Sequence, residues 1–266
     1  MRKEIYGVVG CGWLGTPVAE DWISQGKIVH GTTTSPEKIE QLQKKGIHTH
    51  LLTKENYTQQ EWLNQCDVLL LNIPPSSLKE NYGNYLLKIV QQLNSSAKII
   101  FIGSTSVYAN KNQIVTEDDP LDGTMRNAAF LIEAEKILSD FSGDRLTILR
   151  MSGLVGEDRN PVKYMSGRTI SGGNEPVNLI HQEDCIRLIN FVLENSIWGE
   201  QLNAAAPKHP TKRDYYSFAA NQLNMELPLF DEEEKEYKII GNDKLTNCYG
   251  FNFRYLDPYT FPEFKY

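Results

Sequence analysis

The chain has 266 residues, of which 40% are hydrophobic and 23% charged, so it is long enough to bury a sizeable core and has an ordinary globular composition. Its formal net charge is −7 and its isoelectric point about 5.4, with no clustering of Lys and Arg, which argues against a nucleic-acid partner. The longest apolar runs, 68–71 and 99–102, fall far short of a membrane span, and the opening Met1-Arg2-Lys3-Glu4 lacks the apolar stretch of a leader.

In chain order, residues 5–9 read as a strand buried on both faces. Leu14, Val18 and Trp22 then recur on one helical face, with Gly26 as the expected C-terminal cap. Residues 28–31 form a second strand, and 36–45 a second helix with Pro in its first turn. Further strands are expected at 48–52, 68–71, 99–102 and 146–149, with helices near 78–93 and 127–141. This alternation implies an α/β protein with a Rossmann-type, doubly wound parallel sheet. From about residue 151 the spacing becomes irregular and glycine-rich, with helices near 183–193 and 213–223. We therefore expect a Rossmann domain over 1–155 and a smaller interleaved C-terminal lobe over 156–266, with a soft boundary. The charge run 231–238 reads as a solvated surface. Cys11, Cys66, Cys185 and Cys248 are scattered, with neither metal-ligand spacing nor a disulfide framework, so no metal and a cytoplasmic location are expected.

The chemistry-bearing motif is Gly10-Cys11-Gly12-Trp13-Leu14-Gly15, a G-x-G-x-x-G pattern between the first strand and the first helix. The first glycine permits a tight turn, the second lets backbone approach a pyrophosphate, and the third lets helix pack closely on strand. The helix N-terminus then faces the phosphates. The residues expected against a dinucleotide are Gly10, Gly12, Trp13, Leu14 and Gly15. A glycine-rich turn that serves packing alone is the competing explanation.

A ribose-binding Asp or Glu is expected at the end of the second strand, about 20 residues on. The chain has His30-Gly31-Thr32-Thr33-Thr34-Ser35 there, with no carboxylate. Thr32, Thr33, Thr34, Ser35 and Lys38 offer donors to a 2′-phosphate, which favours NADP over NAD, although no Arg clamps the phosphate. Ser35 also suits a helix N-cap, and both roles are compatible.

Several segments resemble the extended short-chain dehydrogenase/reductase superfamily of sugar-nucleotide epimerases and dehydratases. Gly103-Ser104-Thr105-Ser106-Val107-Tyr108 resembles its serine-rich run after the fifth strand, and Thr116-Glu117-Asp118-Asp119-Pro120 its acidic-proline loop. The stretch 149–156 resembles the strand and glycine turn after its sixth strand, 177–184 the start of its substrate lobe, and 199–203 a later strand. Together they cover roughly residues 4–255. Gly-Cys-Gly-Trp-Leu-Gly with Asn72-Ile73-Pro74-Pro75 is similar to an atypical bacterial subgroup, the YeeZ type, described as NAD(P)-binding or epimerase/dehydratase-like. This resemblance implies that Ile73 and Pro74 flank the adenosine side of the cofactor. A rigid strand-ending turn would explain the prolines equally.

Members of the superfamily carry Tyr-x-x-x-Lys one helix after the serine, the tyrosine exchanging a proton and the lysine lowering its pKa. Here no Tyr has Lys at the fourth position, and alignment of the helix puts Asn127 and Leu131 in their places. Neither transfers a proton at neutral pH. By the resemblance Ser104 remains the candidate catalytic hydroxyl, and Tyr108 a second candidate that suits core packing as well. Tyr164, with Arg168 at the fourth position, and the His181/Asp184 pair carry the same ambiguity between chemistry and structure. Arg126, Arg159 and Arg168 suit either an anionic substrate or an ordinary surface. Two functions follow: an oxidoreductase or epimerase on a small carbonyl or sugar-like substrate, or a non-catalytic dinucleotide sensor. Homodimers are common in the resembled superfamily.

Overall fold

The computed structural model describes residues 2–156, 158–231 and 233–262. Thirteen strands and six α-helices alternate along them. The first part runs β1 (Ile5–Val9), α1 (Gly15–Ser24), β2 (Ile28–Thr33), α2 (Ile39–Lys44), β3 (His48–Leu51), β4 (Val68–Leu71), α3 (Tyr82–Val90) and β5 (Lys98–Ser104). It continues with β6 (Gln113–Val115), α4 (Ala128–Ser142), β7 (Leu146–Met151), β8 (Gly153–Val155), β9 (Thr169–Ile170) and β10 (Leu179–His181). The last part holds α5 (Gln182–Glu194), β11 (Gln201–Ala204), α6 (Lys212–Gln222), β12 (Leu229–Phe230) and β13 (Lys238–Ile240).

Seven strands form one parallel sheet in the order β11-β7-β5-β4-β1-β2-β3, so the α/β Rossmann expectation holds. The order reverses beside β1, which places the crevice for a ligand at the carboxyl ends of the strands on either side of it. Continuous apolar runs such as Leu69-Leu70-Leu71 and Ile99-Ile100-Phe101 are 0% exposed, as a sheet covered on both faces requires. Val18, Ala19 and Trp22 of α1 are likewise 0% exposed. Gly26, at φ +84°, ends that helix in the left-handed conformation expected of a glycine cap.

Contacts divide the chain into two compact units that interleave in sequence, one of residues up to 107, 123–149 and 192–201, the other of 108–122, 150–191 and 202 onward. The first holds the core just described. At its edge His30 of β2 and His50 of β3 lie 2.8 Å apart, Nδ1 to Nε2, and both stack on Trp62 with ring centroids 5.4 and 4.9 Å away. The second unit packs Tyr215, Tyr216, Ala219 and Ala220 of α6 against Val155, Val162, Leu179 and Phe261. Its strands pair in short parallel ladders, β10 with β8, β12 with β9 and β13 with β6. These ladders are two or three residues long, too short for hydrophobic alternation to announce them.

Where elements depart from expectation the causes are local. The second strand runs on to Thr33, because it pairs with β3 through Thr33↔Leu51. The second helix opens as a 3₁₀ turn at Pro36–Lys38, and the third reaches α geometry only at Tyr82 after similar turns. The charge run does not stay in solvent to its end. Lys238 is 9% exposed in β13, where its Nζ donates to the Tyr108 carbonyl, and burial lowers its pKa. No helix among the described residues is long and apolar enough to cross a membrane. No group of three or more His, Cys, Asp or Glu among them is placed to hold a metal. All four cysteines are free thiols.

Candidate functional site

The site is built from the first unit, beginning at the glycine turn. Gly10 has φ +104°, a conformation open to glycine, and a Cβ there would lie 2.6 Å from the Asn72 carbonyl oxygen. A Cβ on Gly15 would lie 2.2 Å from the Gly10 carbonyl oxygen, so only glycine lets α1 begin this close to β1. Gly12 differs: a Cβ there would meet nothing within 4 Å. Two glycines are thus required by the protein itself, and the third leaves space for something else.

That space belongs to a cleft of about 550 Å³. Its floor is Gly10, Cys11 and Gly12; one wall is Thr32 to Ser35 with Lys38, and the other is Asn72, Ile73, Pro74 and Leu78. Leu52, Thr53, Lys54 and Tyr85 close the far end. Asn56 shapes that end, accepting from the Thr53 N–H at 2.8 Å and donating to the Leu51 carbonyl at 2.9 Å. Tyr85 stacks on Tyr57 at 4.2 Å, and burial pushes its hydroxyl up to about 12, so it presents a neutral ring. Tyr82 donates to the Ile73 carbonyl at 2.7 Å, tying the turn after β4 to α3. Burial also pushes the Cys11 thiol up to about 12, so no thiolate sits on the floor at neutral pH.

The wall has an apolar part suited to a nucleobase and a polar part suited to a phosphate. Among the described residues that line it there are two lysines, Lys38 and Lys54, and no carboxylate. Thr34 and Lys38 are exposed, and Ser35 occupies a helix N-cap position without a side-chain cap hydrogen bond. The other two hydroxyls are engaged locally. Thr32 Oγ1 accepts from the Gly10 N–H at 3.0 Å and Thr33 Oγ1 from the Ser35 N–H at 3.1 Å.

The structure therefore brings together Gly10, Gly12, Thr32, Thr33, Thr34, Ser35, Ile73 and Pro74. Trp13, Leu14, Gly15 and Ser104 are not in the lining. Leu14 is 2% exposed and packs in the core, which leaves only its backbone for a cofactor. Sequence reasoning missed Lys54, Leu52 and Tyr85, which reach the cleft only through strand register and helix packing. Asn72 was legible as the first residue of the Asn-Ile-Pro-Pro motif, yet nothing marked it as a contact to the turn.

Ser104 ends β5, half-buried, and its Oγ accepts from the Ser106 N–H at 3.1 Å. In the same unit α4 starts after Asn127, whose φ of +64° and partial burial make it a helix-entry residue. Leu131 is 6% exposed, and with Ala134 and Leu138 it forms the packing face of α4. The two positions that the resemblance aligns with the Tyr and Lys thus hold a helix entry and a core contact.

The remaining candidates lie in the second unit. Tyr108 is 0% exposed, donates to Asn203 Oδ1 at 2.9 Å and accepts from Arg150 Nη1 at 2.6 Å. Burial raises its pKa, partly offset by Arg150. Its hydroxyl is committed to structure. Asp184, with a side chain 1% exposed, accepts from the Arg254 and Tyr255 N–H groups at 2.7 and 3.0 Å and from Arg187 at 3.1 Å. His181 is 3% exposed, accepts from the Glu183 N–H at 3.2 Å and packs on Tyr255 at 4.6 Å. Both are engaged by partners within the second unit. Tyr164 is 74% exposed, and Arg126, Arg159 and Arg168 are exposed as well.

Comparison with known proteins agrees with this geometry. Residues 5–120 match the sequence family described as the NAD binding domain of 6-phosphogluconate dehydrogenase. The protein YeeZ of Escherichia coli (strain K12) is 33% identical over 269 residues, covering 96% of this chain and 97% of its own. A conserved protein of unknown function from Silicibacter pomeroyi DSS superimposes with a TM-score of 0.81 at 19% identity, over 98% of this chain and 97% of the other. UDP-glucuronic acid 4-epimerase from Bacillus cereus, solved in complex with NAD, superimposes with a TM-score of 0.76 at 17% identity, over 97% and 96%.

Proposed function

The chain belongs to the family of the Escherichia coli protein YeeZ, and on that premise we propose that it binds NADP in preference to NAD and uses it in redox chemistry on a small carbonyl or sugar-like substrate. It is an NAD-binding Rossmann protein related to epimerase-like proteins. One observation carries the choice of cofactor: the described lining of the cleft beside β2 holds Lys38 and Lys54 and no carboxylate. A ribose 2′-hydroxyl asks for an acceptor such as Asp or Glu, whereas a 2′-phosphate asks for cations and hydroxyl donors. Thr34, Ser35, Lys38 and Lys54 are of the second kind, and Ile73, Pro74, Leu78 and Tyr85 offer apolar surface to the adenine. In the chemical step Ser104 would donate a hydrogen bond to the substrate oxygen. No residue in the aligned acid–base positions exchanges a proton, so turnover is expected to be slow, short of the 10²–10⁴-fold that such a group contributes.

Calorimetry with NADPH and NADH tests the cofactor, the expected result being tighter NADPH and loss of that margin in Lys38→Glu. Oxidation of NADPH by a carbonyl panel, abolished in Ser104→Ala, tests the chemistry. The replacements Asn127 and Leu131 favour one other reading, a redox-selective sensor without turnover. Such a sensor must bind the oxidised and reduced cofactors with different affinities, because a ligand shifts states only by its differential binding. Equal affinities together with no turnover would remove both readings. A homodimer, as in the resembled superfamily, is part of the proposal and is tested by sedimentation.

A further inference from the structure

Thr32 stands where its residue type suggests a hydroxyl for the ribose or its 2′-phosphate, but its surroundings give it another task. It is 1% exposed, and its Oγ1 accepts from the Gly10 N–H at 3.0 Å. Its carbonyl accepts from the next amide, Cys11 N–H, at 2.8 Å. From the other side Asn72 Nδ2 donates to the Gly10 carbonyl at 3.1 Å, while the Asn72 N–H donates to the Val9 carbonyl at 2.9 Å. The Gly12 N–H donates to that same Gly10 carbonyl at 2.9 Å. Both polar groups of Gly10 are therefore held by side chains, one following β4 and one on β2, the two strands that flank β1.

The physical need is plain. Glycine loses more conformational freedom on ordering than any other residue, and a loop that orders only on binding subtracts that cost from affinity. A turn already held at φ +104° keeps its backbone shape before a ligand arrives.

We propose that Thr32 and Asn72 are positioning residues that hold the glycine turn in its pyrophosphate-binding shape in the free protein. The inference rests on the dinucleotide reading above and goes beyond it, since it moves Thr32 from contact with the ligand to control of the backbone. A direct 2′-phosphate contact would change the ratio of NADP to NAD affinity. The clamp changes both affinities equally and leaves a ligand without a pyrophosphate untouched.

Calorimetry on the parent, Thr32→Val, Thr32→Ser and Asn72→Ala with NADP, NAD, ADP and 2′-AMP separates these outcomes. Thr32→Val and Asn72→Ala are each expected to weaken NADP, NAD and ADP about tenfold, the equivalent of about 1.4 kcal/mol. The NADP:NAD ratio stays constant, 2′-AMP binds as to the parent, and Thr32→Ser restores affinity. Losses confined to NADP and 2′-AMP would overturn the clamp in favour of direct contact. An equal loss for all four ligands would overturn it in favour of general damage. Should Thr32→Val not fold, Asn72→Ala carries the test with the same ligands. Parent-like affinities in both variants overturn the clamp alone, whereas a parent that binds none of the four overturns the dinucleotide reading and the clamp with it.

Discussion

In the first unit Gly12 faces open space in a cleft lined by polar side chains, whereas in the second the suggestive side chains Tyr108 and Asp184 are held by protein partners. Gly12 has no neighbour within 4 Å of its missing side chain, and Thr34, Ser35, Lys38 and Lys54 gather around the same cleft. In the second unit Tyr108 is held between Arg150 and Asn203, and Asp184 is occupied by two backbone amides and Arg187. Buried polar groups that satisfy one another hold a fold together, while donors left beside an accessible cavity mark where a ligand supplies the missing partner. That criterion supports placing the proposed dinucleotide site in the first unit, and Tyr108 and Asp184 of the second are engaged in structural contacts.

The contrast is broken most forcefully inside the glycine turn. Gly15→Val drives a side chain into backbone 2.2 Å away and should cost about 3 kcal/mol or more of stability. Gly12→Glu should leave the melting curve within about 0.5 kcal/mol of the parent and eliminate dinucleotide binding. Thermal melts paired with calorimetry check both, and a Gly12→Glu variant that still binds would end the comparison. Asp184→Ala comes next. It strips two amides of their buried acceptor, so a loss of about 2–3 kcal/mol is expected, with dinucleotide affinity unchanged. Tyr108→Phe is milder, about 1–2 kcal/mol, since Arg150 and Asn203 lose one partner each. A fall in turnover without a shift in the melt would return Tyr108 to the catalytic candidates.

The smallest effect is a pH dependence at the sheet edge. Burial first, then His50 and His48, lowers the His30 pKa from 6.5 to about 4, and burial lowers that of His50. A histidine whose folded value lies below its ordinary one takes up fewer protons when folded. Its stabilising contribution is therefore complete above about 6.5 and declines as pH falls towards 4. Denaturant titrations at pH 7 and pH 5 should show this loss, and His30→Phe should flatten it. An unchanged slope in that variant would assign the acid sensitivity elsewhere.

The strands of the first unit and the glycine turn were legible in the chain because their signals are local: an apolar run, three glycines at fixed spacing, a helical period. Tyr-x-x-x-Lys is absent from the sequence itself, and the residues that the resemblance puts in its place, Asn127 and Leu131, lie at a helix entry and on a packing face. The smaller lobe was poorly legible, since its ladders are two or three residues long and its core comes from segments far apart in sequence.

By itself the amino-acid order determined that a tight bend of small residues ends a buried strand and opens a helix, with no carboxylate over residues 30–35 at the end of the next strand. Only the tertiary structure decided what each polar side chain does there. The parallel register of β2 and β4 beside β1 turned Thr32 and Asn72 inward onto Gly10, and the path after β3 placed Lys54 in the lining of the same cleft as Thr34 and Ser35. Register sets which residues meet across strands tens of positions apart, and residue type alone carries no such distance.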